Sequence, residues 1–302
     1  MNHVAKRTIT GLFVGGGIIA LFLCCPLRGI LPIVLALSTL AQLEFYQMTR
    51  KYEPVAWLGL LLGAVWIVAM GLWGFGVELF SVIAVYSIPA LLLSFLVLCL
   101  VVLFSPGHQR PIGSIAVTML GFLYVPFLLS FFLLTIQLPG EGFWLSPPTE
   151  GPASRAGLYT LLALVALAKF SDTGGFAFGM AFGRHKMCPT ISPKKSWEGL
   201  AGSMIFAAAT AAVFLAIARH FGWATHVPIW GMLSYPMALA VGAAAALVAT
   251  ASDLIESRFK REVEVKDSAT FMPAGMGGFL DMLDSTLFIP ALVYPILVSV
   301  MP

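Results

Sequence analysis

Long apolar runs dominate the chain, and short segments between them hold most of its charged, proline and glycine residues. The runs cover roughly residues 8–27, 29–49, 55–75, 79–104, 113–137, 156–183, 197–218, 235–257 and 279–300. Each has the length, ~20 residues, that an α-helix needs to cross the hydrocarbon core of a bilayer. Helices satisfy their own backbone hydrogen bonds in lipid, and the ~10-residue alternation typical of membrane barrels is not evident. The pattern therefore predicts an all-α, polytopic integral membrane protein with about nine transmembrane helices.

Composition and charge support this class and orient the chain. Of the 302 residues, 59% are hydrophobic and only 10% are charged. With a cytoplasmic N-terminus, thirteen of the 17 lysines and arginines fall before the first run or in the loops on that same side. The positive-inside rule therefore predicts a cytoplasmic N-terminus. We expect the first run to be a retained span, because no small-residue cleavage site follows it. The four cysteines lack metal-ligand spacing and are expected to be small core residues.

The two halves of the chain differ in content. Residues 1–150 are predicted to form five spans that act as a scaffold or face lipid. Their one acidic residue deep in a run is Glu44, which is expected to snorkel or to make an interhelical hydrogen bond. Residues 151–302 are predicted to form four spans with cytoplasmic loops, and they hold many ionisable groups between 165 and 285. Such groups are costly at membrane depth and usually face a partner or a cavity, so we expect the catalytic region here.

Two aspartates lie three residues apart in "GGFLDMLDS", where the last apolar run begins. This spacing predicts that Asp281 and Asp284 lie on one face of a helix, about one turn apart. Their charges repel unless a cation lies between them. Oxygen ligands without a nearby Cys or His favour a hard divalent ion such as Mg²⁺ over zinc. The alternative is a pair of solvated carboxylates at the membrane interface.

The stretch "SDLIESRFKREVEVKDS", residues 252–268, carries a second charged group. Asp253, Glu256 and Ser257 share one helical face, and Lys260 continues it. A charged helix leaving the membrane would explain most of these residues. Asp253, however, lies inside the apolar part, where a partner cation, either a metal or a lysine, would offset its cost.

A third group lies in "KFSDTGGFAFGMAFGRHK", residues 169–186. Lys169 and Asp172 either neutralise each other or face a cavity. The glycines at 174, 175, 179 and 183 form a small-residue face that predicts close helix packing and allows a homodimer.

The loop "CPTISPKKSWEGLAGS", residues 188–203, follows. We predict that Ser192 is a helix N-cap and that Pro193 takes the first helical position. Lys194 and Lys195 beside Trp197 suit a nucleoside triphosphate, although membrane anchoring by positive charge would also explain them. The GxxxxGK[ST] and GxGxxG patterns of soluble nucleotide-binding folds are absent from the sequence.

Together, "SDTGGFAFGMAFGRHKMCPTISPKKSWEGLAGS" and "SDLIESRFKREVEVKDSATFMPAGMGGFLDMLDS" resemble the bacterial phosphatidate cytidylyltransferases, also called CDP-diacylglycerol synthases. The resemblance covers about residues 165–290. The family signature runs Ser-x-x-Lys-Arg-x4-Lys-Asp, then Pro-x-His-Gly-Gly, then Asp-Arg-x-Asp. The residues in register with it are Ser257, Lys260, Arg261, Lys266, Asp267, Pro273, Gly277, Gly278, Asp281 and Asp284. Met276 replaces the histidine, with one extra residue in the turn, and Met282 replaces the arginine.

The resemblance implies a reaction of CTP with phosphatidate in the cytoplasmic (inner) membrane of the cell, with the active site facing the cytoplasm and without nucleic acid. It implies Mg²⁺, with room for a second, monovalent cation, held by Asp253, Asp281 and Asp284. The residues expected to act in catalysis are Ser257, Lys260, Lys266 and Asp267. Those expected to bind CTP or phosphatidate are Lys169, Asp172, Lys194, Lys195, Trp197, Glu198, Arg261, Gly277 and Gly278.

Alternative functions remain open from the residues alone. A different CTP-dependent membrane enzyme would act on another lipid phosphate or on a polyprenol. A secondary transporter would use intramembrane Asp and Lys pairs to couple ions to substrate, although its site usually lies near the midplane of the membrane. A scaffolding membrane protein would need no ordered set of carboxylates.

Overall fold

The computed structural model describes residues 29–72, 79–105, 109–138, 156–221, 233–265 and 278–300. The described residues form two compact units. The first unit takes its residues from Met1–Leu134 and Val263–Met282, and the second from Thr135–Pro139, Pro148–Glu262 and Leu283–Pro302.

Helices account for most of the described chain. They are α1 (Ile30–Met48), α2 (Ala56–Leu72), α3 (Leu79–Phe104), α4 (Pro111–Phe122), α5 (Leu128–Ile136), α6 (Ala156–Phe182), α7 (Trp197–His220), α8 (Tyr235–Glu262), α9 (Phe279–Leu283) and α10 (Phe288–Val300). A 3-10 turn, Arg50–Tyr52, follows α1, and a π-helical segment, Leu123–Phe127, joins α4 to α5. Strands β1 (Lys186–Cys188) and β2 (Ser192–Ser196) form an antiparallel hairpin between α6 and α7.

Within the described residues, six helical segments are long and apolar enough to cross a membrane. They are Ile30–Met48, Ser87–Phe104, Pro111–Ile136, Gly157–Phe182, Trp197–His220 and Tyr235–Glu262, and shorter apolar helices cover Ala56–Leu72 and Phe288–Ser299. These segments follow the predicted runs, and the all-α polytopic membrane class is confirmed. The predicted run 8–27 lies outside the described residues. The count of nine spans, the cytoplasmic N-terminus and the division at residue 150 stay predictions.

Helix α3 packs against the rest of the first unit along a narrow strip. Leu98 and Val102 are buried in a cluster with Val55 and Leu58. Most other large apolar side chains between residues 88 and 104 are exposed, namely Ile88, Leu92, Leu93, Phe95, Leu96, Leu100, Leu103 and Phe104. In water such a surface would be a large apolar patch, whereas lipid acyl chains cover it in a bilayer.

A buried polar network fixes α1 within the first unit. The Gln42 side-chain amide donates to the Tyr46 hydroxyl at 3.0 Å and to the Gly59 carbonyl at 2.9 Å. The Tyr46 hydroxyl donates to the Thr118 carbonyl at 2.8 Å. Glycine is needed at 59 and 121, because a Cβ at either position would clash with the Tyr46 ring. Since buried polar groups are costly when unpaired, this network holds α1 in one register against α2 and α4.

The predicted run 113–137 forms one helical segment with a defect in its middle. Residues Leu123–Phe127 adopt π-helical geometry and include Pro126. Proline has no N–H to donate and its ring crowds the preceding turn, so the regular hydrogen-bond ladder is interrupted there.

Close backbone contact between helices organises the second unit. A Cβ at Gly174 of α6 would lie 2.5 Å from the carbonyl oxygen of Gly202 in α7, and one at Gly242 of α8 would lie 2.5 Å from the carbonyl oxygen of Ala207. Small side chains let the helix backbones approach this closely. The predicted packing role of the glycines in α6 is confirmed at Gly174.

The hairpin corrects the predicted start of α7. Ser192 and Pro193 belong to β2, so neither caps nor begins a helix. Ser196 is the N-cap, and its hydroxyl accepts from the Gly199 N–H at 3.1 Å. Strand β2 pairs with β1 at Ser192 and Ser196 before the helix begins at Trp197. Both serines had the residue type of a cap, and only the second is followed by a helical turn whose N–H groups need an acceptor.

The last predicted run, 279–300, is divided. Residues 284–287 form a turn between α9 and α10. The Thr286 hydroxyl donates to the Leu283 carbonyl at 2.7 Å, and the Ser285 N–H donates to the carboxylate of the preceding aspartate. Short polar side chains that bond to the nearby backbone compete with helical hydrogen bonds, which explains the break.

Candidate active site

Helix α8 and strand β2 bring an aspartate and a lysine together in the second unit. The Lys195 ammonium lies 2.6 Å from a carboxylate oxygen of Asp253, and both side chains are partly exposed, at 21% and 31%. Lys195 also donates to the Thr250 carbonyl at 3.2 Å, and the Ser257 hydroxyl donates to Asp253 at 3.4 Å. The sequence predicted either a metal or a lysine as the partner of Asp253. The structure shows a lysine, which offsets the cost of placing this carboxylate in an apolar helix.

Helix α6 contributes a second lysine and aspartate. The Lys169 ammonium and the Asp172 carboxylate are 4.0 Å apart, so their ion pair is long. Lys169 donates to the hydroxyl of Ser285 at 3.1 Å, and Ser285 also makes a hydrogen bond with Asp172. Ser285 is fully buried and links the two charged side chains.

The two pairs belong to one group with Asp284. Asp253 and Asp284 each interact electrostatically with Asp172, and they interact with each other. We call Lys169, Asp172, Lys195, Asp253 and Asp284 the charged cluster. It contains three carboxylates and two ammonium groups, so it carries an excess of one negative charge when all are ionised. Such an excess favours a further cation at this place.

A hydrogen bond from a side chain of α8 holds the backbone of Asp284 in place. The Ser252 hydroxyl donates to the Asp284 carbonyl oxygen. Ser252 directly precedes Asp253 in α8. The same turn of α8 therefore carries Asp253 and also holds the loop that carries Asp284. Ser252 and Ser285 are the two residues of this region that the sequence analysis missed. Their signal is the repeated Ser-Asp or Asp-Ser dipeptide at each acidic position.

Two predicted binding or catalytic residues near the end of α8 have protein partners. The Lys260 ammonium lies 3.1 Å from a carboxylate oxygen of Glu256, which has 0% exposed side-chain area. The Arg261 guanidinium donates to the Ile191 carbonyl at 3.2 Å. Lys260 thus neutralises a buried carboxylate, and Arg261 connects the end of α8 to the hairpin turn.

The hairpin displays some of its predicted residues and uses others structurally. Glu198 lies 2.6 Å from the His185 ring, and both of its carboxylate oxygens accept from the His185 backbone N–H at 3.2 Å. Glu198 therefore closes the base of the hairpin. Lys194 and Trp197 are exposed, as residues that meet a nucleotide or lipid would be.

The residues at the start of α9 belong to the first unit. A carboxylate oxygen of Asp281 accepts from the Gly278 N–H at 2.8 Å. The neighbouring Leu280 N–H donates to the Glu44 carboxylate at 2.9 Å. Helix α9 ends at Leu283, so the prediction that a single regular helix presents both Asp281 and Asp284 is wrong. Of the two alternatives predicted for Glu44, the structure shows the hydrogen bond: its carboxylate is buried and does not snorkel.

Three predicted site residues lie outside the described residues, namely Lys266, Asp267 and Gly277. Met276, which replaces the family histidine, lies outside them as well.

The chemistry of the donor set suits a hard divalent cation. Asp253 and Asp284 offer carboxylate oxygens in the same unit and repel each other. In the part of the chain that the structure describes, no three His, Cys, Asp or Glu side chains are grouped so that they could hold a metal ion. Mg²⁺ and the metal role of Asp281 stay predictions.

These features define a helical membrane protein with a cluster of carboxylates and lysines carried by α6, α8, strand β2 and the turn after α9. The family model that matches the chain over residues 5–300 is described as the cytidylyltransferase family. The chain therefore belongs to the cytidylyltransferase family.

Curated bacterial relatives are named phosphatidate cytidylyltransferase. The chain is similar to that of Haemophilus influenzae, with 38% identity over 139 residues, which are 46% of each chain. It is 32% identical over 183 residues to that of Mycobacterium tuberculosis strain H37Rv, covering 61% of this chain and 46% of the relative. With Staphylococcus saprophyticus the identity is 31% over 171 residues, covering 57% and 60%. The matches thus span about half of the length of these relatives.

Proposed function

We propose that this chain transfers a cytidylyl group from CTP to phosphatidate in the cytoplasmic membrane. An oxygen of the lipid phosphate attacks the α-phosphorus of CTP, and the bond from that phosphorus to the oxygen bridging to the β-phosphate breaks. The electron pair leaves on pyrophosphate, and the lipid product is CDP-diacylglycerol. The lipid phosphate is already anionic near neutral pH, so the reaction requires no general base.

The charged cluster in a chain of the cytidylyltransferase family is the observation that carries this proposal. Two anionic substrates must meet in this reaction, so positive charge has to be positioned against the phosphates. Lys195 and Lys169 are held by carboxylates and hydroxyls at 2.6 to 4.0 Å and are partly exposed. Each lysine can exchange one protein contact for a phosphate oxygen without moving its backbone.

The other predicted residues would act around these lysines. The Ser257 hydroxyl, 3.4 Å from Asp253, is able to turn its hydrogen-bond donor towards a phosphate. Lys194 in strand β2 and Trp197 at the start of α7 are exposed, so they would meet the triphosphate and the base of CTP. Arg261 and Glu198 would support the site by fixing the hairpin.

Mg²⁺ is part of the proposal because of the excess of carboxylate. Asp253 and Asp284 would hold it, and the resemblance adds Asp281. When bound, the ion would neutralise charge on the triphosphate and on departing pyrophosphate. On the proposed topology the site faces the cytoplasm, from which CTP arrives. A homodimer, a monovalent cation and the absence of nucleic acid from the site stay predictions.

The test is pyrophosphate release by the purified protein in detergent with CTP, Mg²⁺ and phosphatidate, omitting each in turn, and with EDTA. We expect release only when all three are present. Asp253→Asn should lower turnover by about 10²-fold or more, because it removes charge at the point where the phosphates react. Glu53→Gln is the matched control, since Glu53 is an acid of the first unit whose contact is an exposed hydrogen bond to the Gln109 N–H.

Three results would contradict the proposal. Pyrophosphate release that does not depend on lipid would exclude cytidylyl transfer to phosphatidate. Activity with another lipid phosphate or with a polyprenol in place of phosphatidate would support the other CTP-dependent enzymes. Equal turnover by Asp253→Asn and wild type would remove the charged cluster from the reaction.

A further inference from the structure

We propose that Glu44 is a positioning residue of the reaction, because it fixes the segment that carries Asp281. Glu44 lies in α1, 236 positions before its hydrogen-bond donor Leu280. The segment is residues 278–282, the last part of the first unit. The kinetic part of this inference rests on the proposed function, whereas the contact itself does not.

The contact is short and fully buried. The Leu280 N–H donates to Glu44 Oε2 at 2.9 Å, and both residues have 0% exposure. A carboxylate in such a place is expensive unless hydrogen bonds to it persist. A leucine of similar size would fill the space without that cost, so packing alone does not account for a glutamate here.

Helix α9 needs acceptors from outside. It has only five residues, and the first N–H groups of a helix have no partner within it. Asp281 accepts the Gly278 N–H, and Glu44 accepts the Leu280 N–H. The two carboxylates thus take two N–H groups at the start of α9. The orientation of Asp281 in the segment therefore depends on the glutamate that holds Leu280.

Helix α1 is suited to act as the fixed support. Gln42 and Tyr46, one helical turn apart, bond to α2 and α4 through Gly59 and Thr118. Glu44 lies midway between them in the sequence, so it projects from a different side of the helix. The network on one side holds α1 in register, and the other side presents the carboxylate to Leu280.

The test compares Glu44→Leu, which removes the acceptor, with Glu44→Gln, which keeps a carbonyl acceptor. Hydrogen exchange of the peptide containing Leu280 reports the contact, and the Mg²⁺ concentration for half-maximal activity reports the site. For Glu44→Leu we expect at least tenfold faster exchange and a several-fold higher half-maximal Mg²⁺ concentration. Glu44→Gln should restore most of both values. Ser130→Ala is the control, because it removes a buried hydrogen bond of the same unit, from Trp66 at 3.2 Å, without touching α1 or residues 278–282.

Each outcome decides the inference. Loss of folded protein lowers the maximal rate and leaves the half-maximal Mg²⁺ concentration unchanged. A shift in that concentration in Glu44→Leu but not in Ser130→Ala therefore supports positioning. Faster exchange without that shift reduces Glu44 to a structural role and overturns the inference. Unchanged exchange in Glu44→Leu overturns the contact itself. If wild type releases no pyrophosphate, the proposed function fails, and the exchange measurement still decides whether Glu44 holds the segment.

Discussion

The close backbone contact of α6 with α7 at Gly174 gives a prediction with a definite sign. Replacing Gly174 by alanine would place a Cβ 2.5 Å from the carbonyl oxygen of Gly202 and 2.7 Å from Cβ of Phe206. Ordinary van der Waals contact begins at 3.4 Å, and the nearer atom belongs to the backbone. The two helices must therefore move apart.

The magnitude follows from two opposing effects. Overpacking of a tight contact costs about 1–3 kcal/mol. Replacing a helical glycine by alanine gains about 1 kcal/mol in helix propensity. With a backbone atom in the way we expect the upper part of the first range, which leaves a net loss of roughly 1–2 kcal/mol, or a factor of about 5–30 in the folded to unfolded ratio. Asp172 and Lys169 precede Gly174 in α6, so activity should fall as well.

The assay is the fraction of protein that stays folded and active after heating in lipid nanodiscs, and Gly113→Ala is the matched control. A Cβ at Gly113 in α4 would meet its nearest atom, Cβ of Arg110, at 3.6 Å, which is ordinary contact. Gly113→Ala should therefore be neutral or slightly stabilising, and Gly174→Ala destabilising. Equal heat resistance of Gly174→Ala and wild type would refute the argument that α6 and α7 touch through their backbones.

Three further predictions concern single contacts of the second unit. Lys260→Met should destabilise the protein by about 3–5 kcal/mol, because it leaves the buried Glu256 without its ion-pair partner. In the same heating assay, the double variant with Glu256→Met should recover most of that loss. Ser196→Ala should cost about 1 kcal/mol as a lost N-cap, and Ser196→Asp should not; equal losses would contradict the capping role. Ser285→Ala removes the hydroxyl that holds Lys169, so kcat/KM for CTP should fall about tenfold, the size expected for losing a hydrogen bond to a charged group. Unchanged kinetics would exclude Lys169 from substrate binding.

Long apolar runs predicted the helices well, because membrane spans are set by length and hydrophobicity alone. The glycines of α6 predicted close packing for a similar reason, since few residues other than glycine permit it. The sequence did not predict the hairpin, whose charged and proline-containing strand β2 resembles a loop. The sequence also did not predict the break after Leu283. There, hydrogen bonds from side chains to the neighbouring backbone interrupt the helix although the apolar pattern continues.

The candidate site divides in the same way. The sequence predicted that Asp253 pairs with either a metal or a lysine. Placing an aspartate in an apolar helix is costly enough to require a cation, but the cost does not specify which one. That the partner is Lys195, from a hairpin 58 positions earlier, depends on tertiary structure. Ser285 and Glu44 were not predicted as parts of the site, because a small hydroxyl or one deep carboxylate says nothing about which distant group it meets.

The bond between Glu44 and Leu280 also bears on how the protein is made. At a synthesis rate of 5–20 residues per second, roughly 10–50 s pass between translation of the acceptor and of its donor. Helix α1 is therefore made long before α9 exists, and the bond to Leu280 forms only after residue 280 has been synthesised. A nascent chain arrested before residue 278 lacks that bond and Asp281, so the first unit gains this segment only after helices α1 to α4 have been made.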